Sequence, residues 1–140
     1  MLHPDHDIAP LQRHRLAPEA SEATAAADGP APAVSIGLPV YNGEQYLRNS
    51  LDALLAQTFT DFELIISDNA STDSTPAICQ DYAARDRRIR YLRQPSNIGA
   101  APNHNFVASL ARAPLFKWAS HDDLYHPDLL RQCVEALEAH

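Results

Sequence analysis

Hydrophobic and polar positions divide the chain at Ala33. From Met1 to about Pro32, Ala, Pro, His, Asp and Glu dominate and large apolar residues are few. A stretch of that composition cannot bury enough surface to offset the entropy of ordering its backbone, so residues 1–32 are expected to be a disordered tail. Beyond it, two periodicities alternate. Ala33–Val40 is a short apolar run ended by turn chemistry at Tyr41-Asn42-Gly43, which predicts a buried strand. Leu47, Leu51, Leu54 and Leu55 then recur at helical spacing, predicting an amphipathic helix to about Gln57. Phe62–Ser67 reads as a second strand ending at Asp68. Asn69–Pro76 is rich in loop and N-cap residues, with Pro near the first turn of a helix carrying Ile78, Cys79 and Tyr82 to about Arg87. Ile89–Leu92 is a third strand, and Pro95–Gly99 a turn. A helix with Phe106, Val107 and Leu110 follows, then a fourth strand at Leu115–Ala119. A last helix runs from His126-Pro127-Asp128 through Leu130, Cys133, Val134 and Leu137.

Strand and helix alternate throughout and no internal repeat is present. The expected fold is therefore α/β: a mostly parallel sheet with helices on both faces, one domain over residues 33–140. The formal net charge of -7, from 11 Lys+Arg against 18 Asp+Glu, argues against nucleic acid as a partner, because phosphate neutralisation needs clustered cations. The densest basic run, Arg85 to Arg90, contains Asp86 and reads as a solvated helix end. Cys79 and Cys133 lie far apart on apolar helix faces, which predicts buried thiols and fits a reducing cytoplasm. No apolar run is long enough to span a bilayer, and the first residues lack the apolar region of a signal peptide. A cytoplasmic location follows as the expectation, with peripheral attachment at the inner face of the membrane left open.

In an open α/β sheet, ligands bind beyond the carboxyl ends of the strands. The first strand delivers Pro39, Val40, Tyr41 and, one turn on, Glu44; the second delivers Asp68 and Asn69; the fourth delivers Ser120, His121, Asp122 and Asp123. Each has a bland reading: Asp68 as a helix cap, Tyr41 as a turn residue, Asp122 as a cap before Pro127. Their convergence on one rim argues for a site. An acidic rim repels an anionic ligand unless a cation intervenes, and Mg²⁺ or Mn²⁺ commonly links one or two carboxylates to substrate phosphates. The Asp122-Asp123 pair suits that role. An ionised Asp68 only accepts hydrogen bonds, which suits a ligand offering an N–H, such as the imide of uracil. Tyr41 can present a flat face to a base.

Four blocks carry a resemblance. Val34–Glu44, Glu63–Asp73, Asn97-Ile98-Gly99 and Ser120-His121-Asp122-Asp123 together resemble the family 2 glycosyltransferases of GT-A fold, in the family's order and spacing, from about Ala33 to the end. The resemblance implies a Rossmann-like, nucleotide-sugar-binding half and transfer of a sugar from a nucleotide diphosphate donor to an acceptor hydroxyl. It places Pro39, Val40, Tyr41 and Glu44 around the nucleoside, Asp68 on the base with Asn69 beside it, and the block after the fourth strand on the ribose and on a divalent metal, Mn²⁺ or Mg²⁺. Asp122 falls on the metal-binding Asp of the family's Asp-x-Asp, with Asp123 adjacent. Ser120 stands where the first Asp often stands. His121, in the middle position, is either a nucleotide contact or a solvent-facing loop residue. Such a metal acts as a Lewis acid on the leaving diphosphate.

Family members continue into an acceptor-binding half that supplies the general base. Asp128 and Glu135 belong to the last helix, so no base is assigned and the fold is expected to be truncated at its C-terminal side. The acceptor, whether glycan, lipid-linked or protein, is left open, as is the choice among uracil, thymine and guanine, with a UDP-sugar favoured. A binding module that holds a nucleotide sugar without turning it over is the alternative. A dinucleotide-dependent oxidoreductase needs Gly-x-Gly-x-x-Gly where Leu38–Gly43 offers one glycine. A phosphoacceptor domain needs acidic residues after the first strand, where Pro39-Val40-Tyr41 stands. An uncovered sheet edge is expected to promote self-association.

Overall fold

The computed structural model of the chain describes residues 12–13 and 29–139. Its strands are β1 (Gln12–Arg13), β2 (Val34–Val40), β3 (Phe62–Asp68), β4 (Ile89–Arg93) and β5 (Leu115–Trp118), and its helices are α1 (Leu47–Leu55), α2 (Thr75–Arg85), α3 (Ala100–Ser109) and α4 (Leu129–Glu138). Of the tail expected over residues 1–32, only Gln12–Arg13 and 29–32 are described; the rest of that expectation lies outside the described residues. The sheet order is β1-β5-β2-β3-β4. The four longer strands are mutually parallel, and β1 adds antiparallel to β5 through Gln12 opposite Phe116 and Arg13 opposite Leu115. The α/β architecture with a mostly parallel sheet and helices on both faces is the one that the alternating periodicities predict.

The central strands β2 and β3 are buried on both faces, and the large apolar residues of β2 all turn to one of them. Val34, Ile36, Leu38 and Val40 of β2, with Leu64 and Ile66 of β3, form one core together with α1, α2 and α4 through Leu47, Leu51, Ile78, Leu130 and Val134. On the opposite face Ile65 and Leu92 meet Val107 and Leu110 of the α3 region and Phe116 of β5. On that face β2 presents Ser35, Gly37 and Pro39. A Cβ on Gly37 would stand 2.6 Å from Phe116 Cζ, so the glycine makes room for the ring. Among the described residues no helix is long and apolar enough to cross a membrane.

Pro39 sits in a central strand, a place that proline's missing N–H usually forbids. Here the β5 pairing stops at Gly37 opposite Trp118, while β3 continues to Val40. Pro39 therefore lies where β2 has already parted from β5, and the gap between those two strand ends opens the sheet at its carboxyl edge.

The basic run is a correction to the sequence reading. Helix α2 ends at Arg85, and Arg90 lies inside β4 with only 5% of its surface exposed. Its Nη1 pairs with Glu63 Oε1 at 3.4 Å and donates to the Leu110 carbonyl at 2.9 Å. Arg88 folds onto Asp86 and over the Phe62 ring. The run continues from a helix end into a buried strand, so only part of it is solvated.

Candidate functional site

Two loops at the carboxyl edge are laced together by residues whose side chains bond to backbone. Asn42 adopts φ +50° after β2, and its amide oxygen accepts the Thr72 N–H at 2.8 Å. In return the Asn42 N–H reaches Ser71 Oγ at 2.8 Å, and the Gly43 N–H reaches Thr75 Oγ1 at 2.9 Å. Glu44 accepts the Ser74 N–H at 2.9 Å, and Asp73 accepts both the Glu44 and Thr75 N–H groups. This lacing satisfies N–H groups at the start of α2 that the helix itself cannot. It also turns Glu44 toward the helix start, so Glu44 does not line the cavity expected to receive a nucleoside.

That cavity measures about 350 Å³ and is lined by Pro39, Val40 and Tyr41 after β2, Asn69 after β3, Asn97, Ala100, Asn103 and His104 around the start of α3, and Ala119, Ser120 and His121 after β5. Five of the residues expected at the site converge here: Pro39, Val40, Tyr41, Asn69 and His121. Tyr41 lines the cavity and is 46% exposed. Asn69 is buried and clamps the Asn97–Gly99 turn: its Nδ2 donates to Asn97 Oδ1 and to the Gly99 carbonyl, and its Oδ1 accepts the Ile98 N–H. The resemblance block at Asn97-Ile98-Gly99 is thereby tied to the end of β3.

Asp68 stands differently from its expected role. It is 0% exposed; Oδ1 accepts the Ser71 N–H at 2.9 Å and Oδ2 accepts the Tyr91 hydroxyl at 2.7 Å. Burial, and then the bond to Asp68, raise the Tyr91 hydroxyl well above its ordinary value. Both carboxylate oxygens are thus engaged beneath the rim, where Asp68 braces the loop instead of offering a ligand a free acceptor. The acidic rim inferred from sequence is, at the cavity itself, a wall whose polar groups among the described residues are amides, imidazoles, one serine and the Tyr41 phenol.

The Ser120–Asp123 turn is held from two sides. Ser120 N–H donates to the Tyr125 hydroxyl at 2.8 Å, and Ser50 of α1 donates to the Asp123 carbonyl at 2.6 Å. Ser120 Oγ donates to Asp122 Oδ1 at 2.6 Å, and that bond, with a smaller contribution from His121, lowers the Asp122 carboxyl below its ordinary range. The His121 ring lies against the β2–α1 loop: a Cβ on Gly43 would stand 2.8 Å from its Nδ1, which is buried without a partner. Asp122 and Asp123 do not line the cavity but flank it through His121. Among the described residues no cluster of three or more His, Cys, Asp or Glu side chains is placed to hold a metal ion. The exposed, ionised Asp122 next to Asp123 therefore fits a divalent ion that a diphosphate helps to coordinate, not one caged by protein alone.

His104 was not singled out from the sequence. It gives no motif signal, because what fixes it is an i, i−4 bond of its Nδ1 to the Ala100 carbonyl at 2.9 Å and a ring contact with Trp118 at 5.0 Å.

Comparison with known proteins places this geometry in context. The family described as Glycosyl transferase family 2 matches residues 35–140. An uncharacterized glycosyltransferase of Rickettsia typhi is 35% identical over 106 residues, covering 76% of this chain and 32% of its own length. Chondroitin synthase of Escherichia coli is 35% identical over 104 residues, covering 74% of this chain and 15% of its own length. Among solved structures, S. aureus TarS 1–349 in complex with UDP superposes with a TM-score of 0.71 at 24% identity, over 76% of this chain and 32% of that one. The mannosyltransferase PcManGT of Pyrobaculum calidifontis, in complex with GDP-Man and Mn²⁺, gives 0.70 at 24% identity over the same shares. The chain thus spans about a third of the Rickettsia relative and less of the synthase.

Proposed function

The chain belongs to glycosyl transferase family 2, and from that premise we propose that its described residues form the donor side of a glycosyltransferase that moves a sugar from a nucleotide diphosphate, UDP favoured, to an acceptor hydroxyl. The observation that carries this reading is the cavity between the ends of β2, β3 and β5, because it gathers Tyr41, Asn69 and His121 from three separate sequence blocks. It is also supported by the ligands of its fold neighbours, which are UDP and UDP-GlcNAc in TarS and GDP-Man with Mn²⁺ in PcManGT. The relationship to a chondroitin synthase favours a growing glycan as acceptor.

In this reading Tyr41 covers one face of the nucleoside, while Pro39 and Val40 form the apolar floor beneath it. Asn69 keeps the Asn97–Gly99 turn against that floor. Asp122, kept ionised by its bond from Ser120, and Asp123 would hold a divalent metal together with the donor diphosphate. When bound, the ion supplies Lewis-acid stabilisation of the leaving diphosphate. Self-association through the sheet edge belongs to the same proposal. A second reading, a module that binds the donor without turning it over, is favoured by one observation: among the described residues no carboxylate lines the cavity to take an acceptor's proton.

The test is calorimetric titration of UDP into the chain with and without Mn²⁺, with GDP in parallel. UDP is expected to bind in the presence of the metal, and Asp122→Ala to lose the metal-dependent part. Failure of every nucleotide to bind a chain shown to be folded would sink the reading. Sugar release from a UDP-sugar separates the transferase from the binding module.

A further inference from the structure

If Asp68 is committed beneath the rim, something else must read the base. The polar side chains that line the cavity from the end of β3 and around the start of α3 can be accounted for one by one. Asn103 accepts Ser67 Oγ at 2.6 Å and donates to the Ser67 carbonyl at 3.0 Å, so its amide is used at both ends. Asn69 is fully occupied with the Asn97–Gly99 turn. His104 is different. Its Nδ1 meets the Ala100 carbonyl, which only accepts, so Nδ1 carries the proton and Nε2 of the neutral ring is left as an acceptor. The ring cannot readily turn away, because it rests on Trp118, which in turn stands edge-on to Phe116 at 4.8 Å. Helix α3 thereby supplies the cavity wall with an oriented imidazole acceptor. Asn97 lines the same cavity, and its Oδ1 is already used twice, by Asn69 Nδ2 and by the Gly99 N–H. Its Nδ2 is thus the end left to donate.

We propose that His104 is the specificity-determining residue for the nucleobase, its Nε2 accepting the ring N–H of a keto base, with the Asn97 amide donating to the adjacent carbonyl oxygen. The proposal rests on the reading of the cavity as a nucleotide site. An acceptor beside a donor matches an N–H next to a C=O, the edge that uracil and guanine both present. Adenine's ring has no such N–H. His104 then discriminates through one hydrogen bond, and a protein that lacks it loses that discrimination while keeping the cavity.

The experiment is a binding cycle on the full chain. UDP and GDP are titrated first, and the tighter of the two is then compared with its ring-N-methylated form, N3-methyl-UDP or N1-methyl-GDP. Methylation is expected to weaken binding to the unaltered chain by about ten- to a hundredfold, the range for one buried hydrogen bond lost. His104→Phe keeps a ring against Trp118 but has no acceptor; it is expected to bind the unmodified nucleotide more weakly by a similar factor and no longer to distinguish the methylated form. His104→Gln, which returns an oxygen near the Nε2 position, is expected to recover part of the discrimination. Equal binding of both forms to the unaltered chain overturns the proposal, and so does discrimination that survives in His104→Phe, since the methyl group is then rejected elsewhere. If His104 contacts the diphosphate instead, the substitution weakens both forms equally and leaves their ratio unchanged, which also overturns it. Failure of any nucleotide to bind overturns the donor-site reading itself, a result distinct from binding without discrimination. Should His104→Phe not fold, the unaltered chain and His104→Gln still decide between these outcomes.

Discussion

Single side chains at the carboxyl edge divide into those that build the loops and those that face the cavity. Asp68 shows how that division escapes the sequence. Its partner Tyr91 is 23 positions away, and nothing in Ser67-Asp68-Asn69 says which way the carboxylate turns. If Asp68 is a brace, removing its partner should cost stability and spare binding. Tyr91→Phe leaves Asp68 Oδ2 without its buried hydroxyl donor, so a loss of about 1–3 kcal/mol is expected in urea unfolding. Nucleotide affinity of the folded fraction should be unchanged; a large drop would show that Asp68 reports directly on the ligand. Gly43 is the converse case. A methyl group there collides with His121 and with Val40 Cγ2, both 2.8 Å away and both cavity-lining residues. Gly43→Ala should therefore push the His121 ring out of its seat and weaken UDP binding, readable by calorimetry. Unaltered affinity would remove His121 from the nucleotide site.

At the scale of elements, the strands were legible because large apolar residues crowd Val34–Val40 and Phe62–Ile66 between turn-rich segments. The helices α1 and α4 were legible by their leucine spacing. Helix α3 was harder, since its sequence Ala100–Ser109 buries Asn103 and Val107 and exposes much of the rest. A polar residue in the core is readable only once Ser67 is seen to satisfy it. The turn from α2 into β4 was misread for a similar reason: Arg88 and Arg90 look solvated until Asp86, Phe62 and Glu63 are placed beside them. Asp86 is where this turn can be tested by pH. Its carboxylate accepts from Arg88 N–H, Nε and Nη2, and the Arg88 side-chain bond is the main cause that lowers its pKa. A lowered folded-state value means stability that is present above the unfolded carboxylate pKa of about 3.9 and is lost as pH falls through the folded value. Asp86→Asn should thus cost about 1 kcal/mol near neutral pH. The difference from the unaltered chain should shrink toward zero as acid protonates Asp86. A difference that stays constant down the acid limb would assign the cost to packing instead.

Seen whole, the sheet has one end for structure and one for ligand. At the amino ends of the strands, Glu63 accepts from Ser35 of β2, Arg90 of β4 and Arg112 before β5, tying three strands and a loop at one buried carboxylate. Breaking such a pair from one side is strongly destabilising, so this end is fixed while the carboxyl end diverges at Pro39 to open the cavity. The lateral edges are less well closed. On one side, among the described residues, β4 pairs only with β3. On the other, the described residues of β1 cover Leu115 and Phe116 but not Lys117 and Trp118. Backbone groups left along such edges are templates for another strand, and the chain spans about a third of the Rickettsia relative it matches. We therefore expect the isolated chain to self-associate, with a sedimentation coefficient that rises with concentration. The location of the contact is testable separately. If edges pair, amide exchange should slow with concentration in β4 or at Lys117–Trp118, and remain unchanged in β2 and β3, whose N–H groups are already bonded on both sides over most of their length. A concentration-independent monomer with a sharp, cooperative melt would show instead that these edges are quiet, and would turn attention to β1 as a sufficient cover for β5.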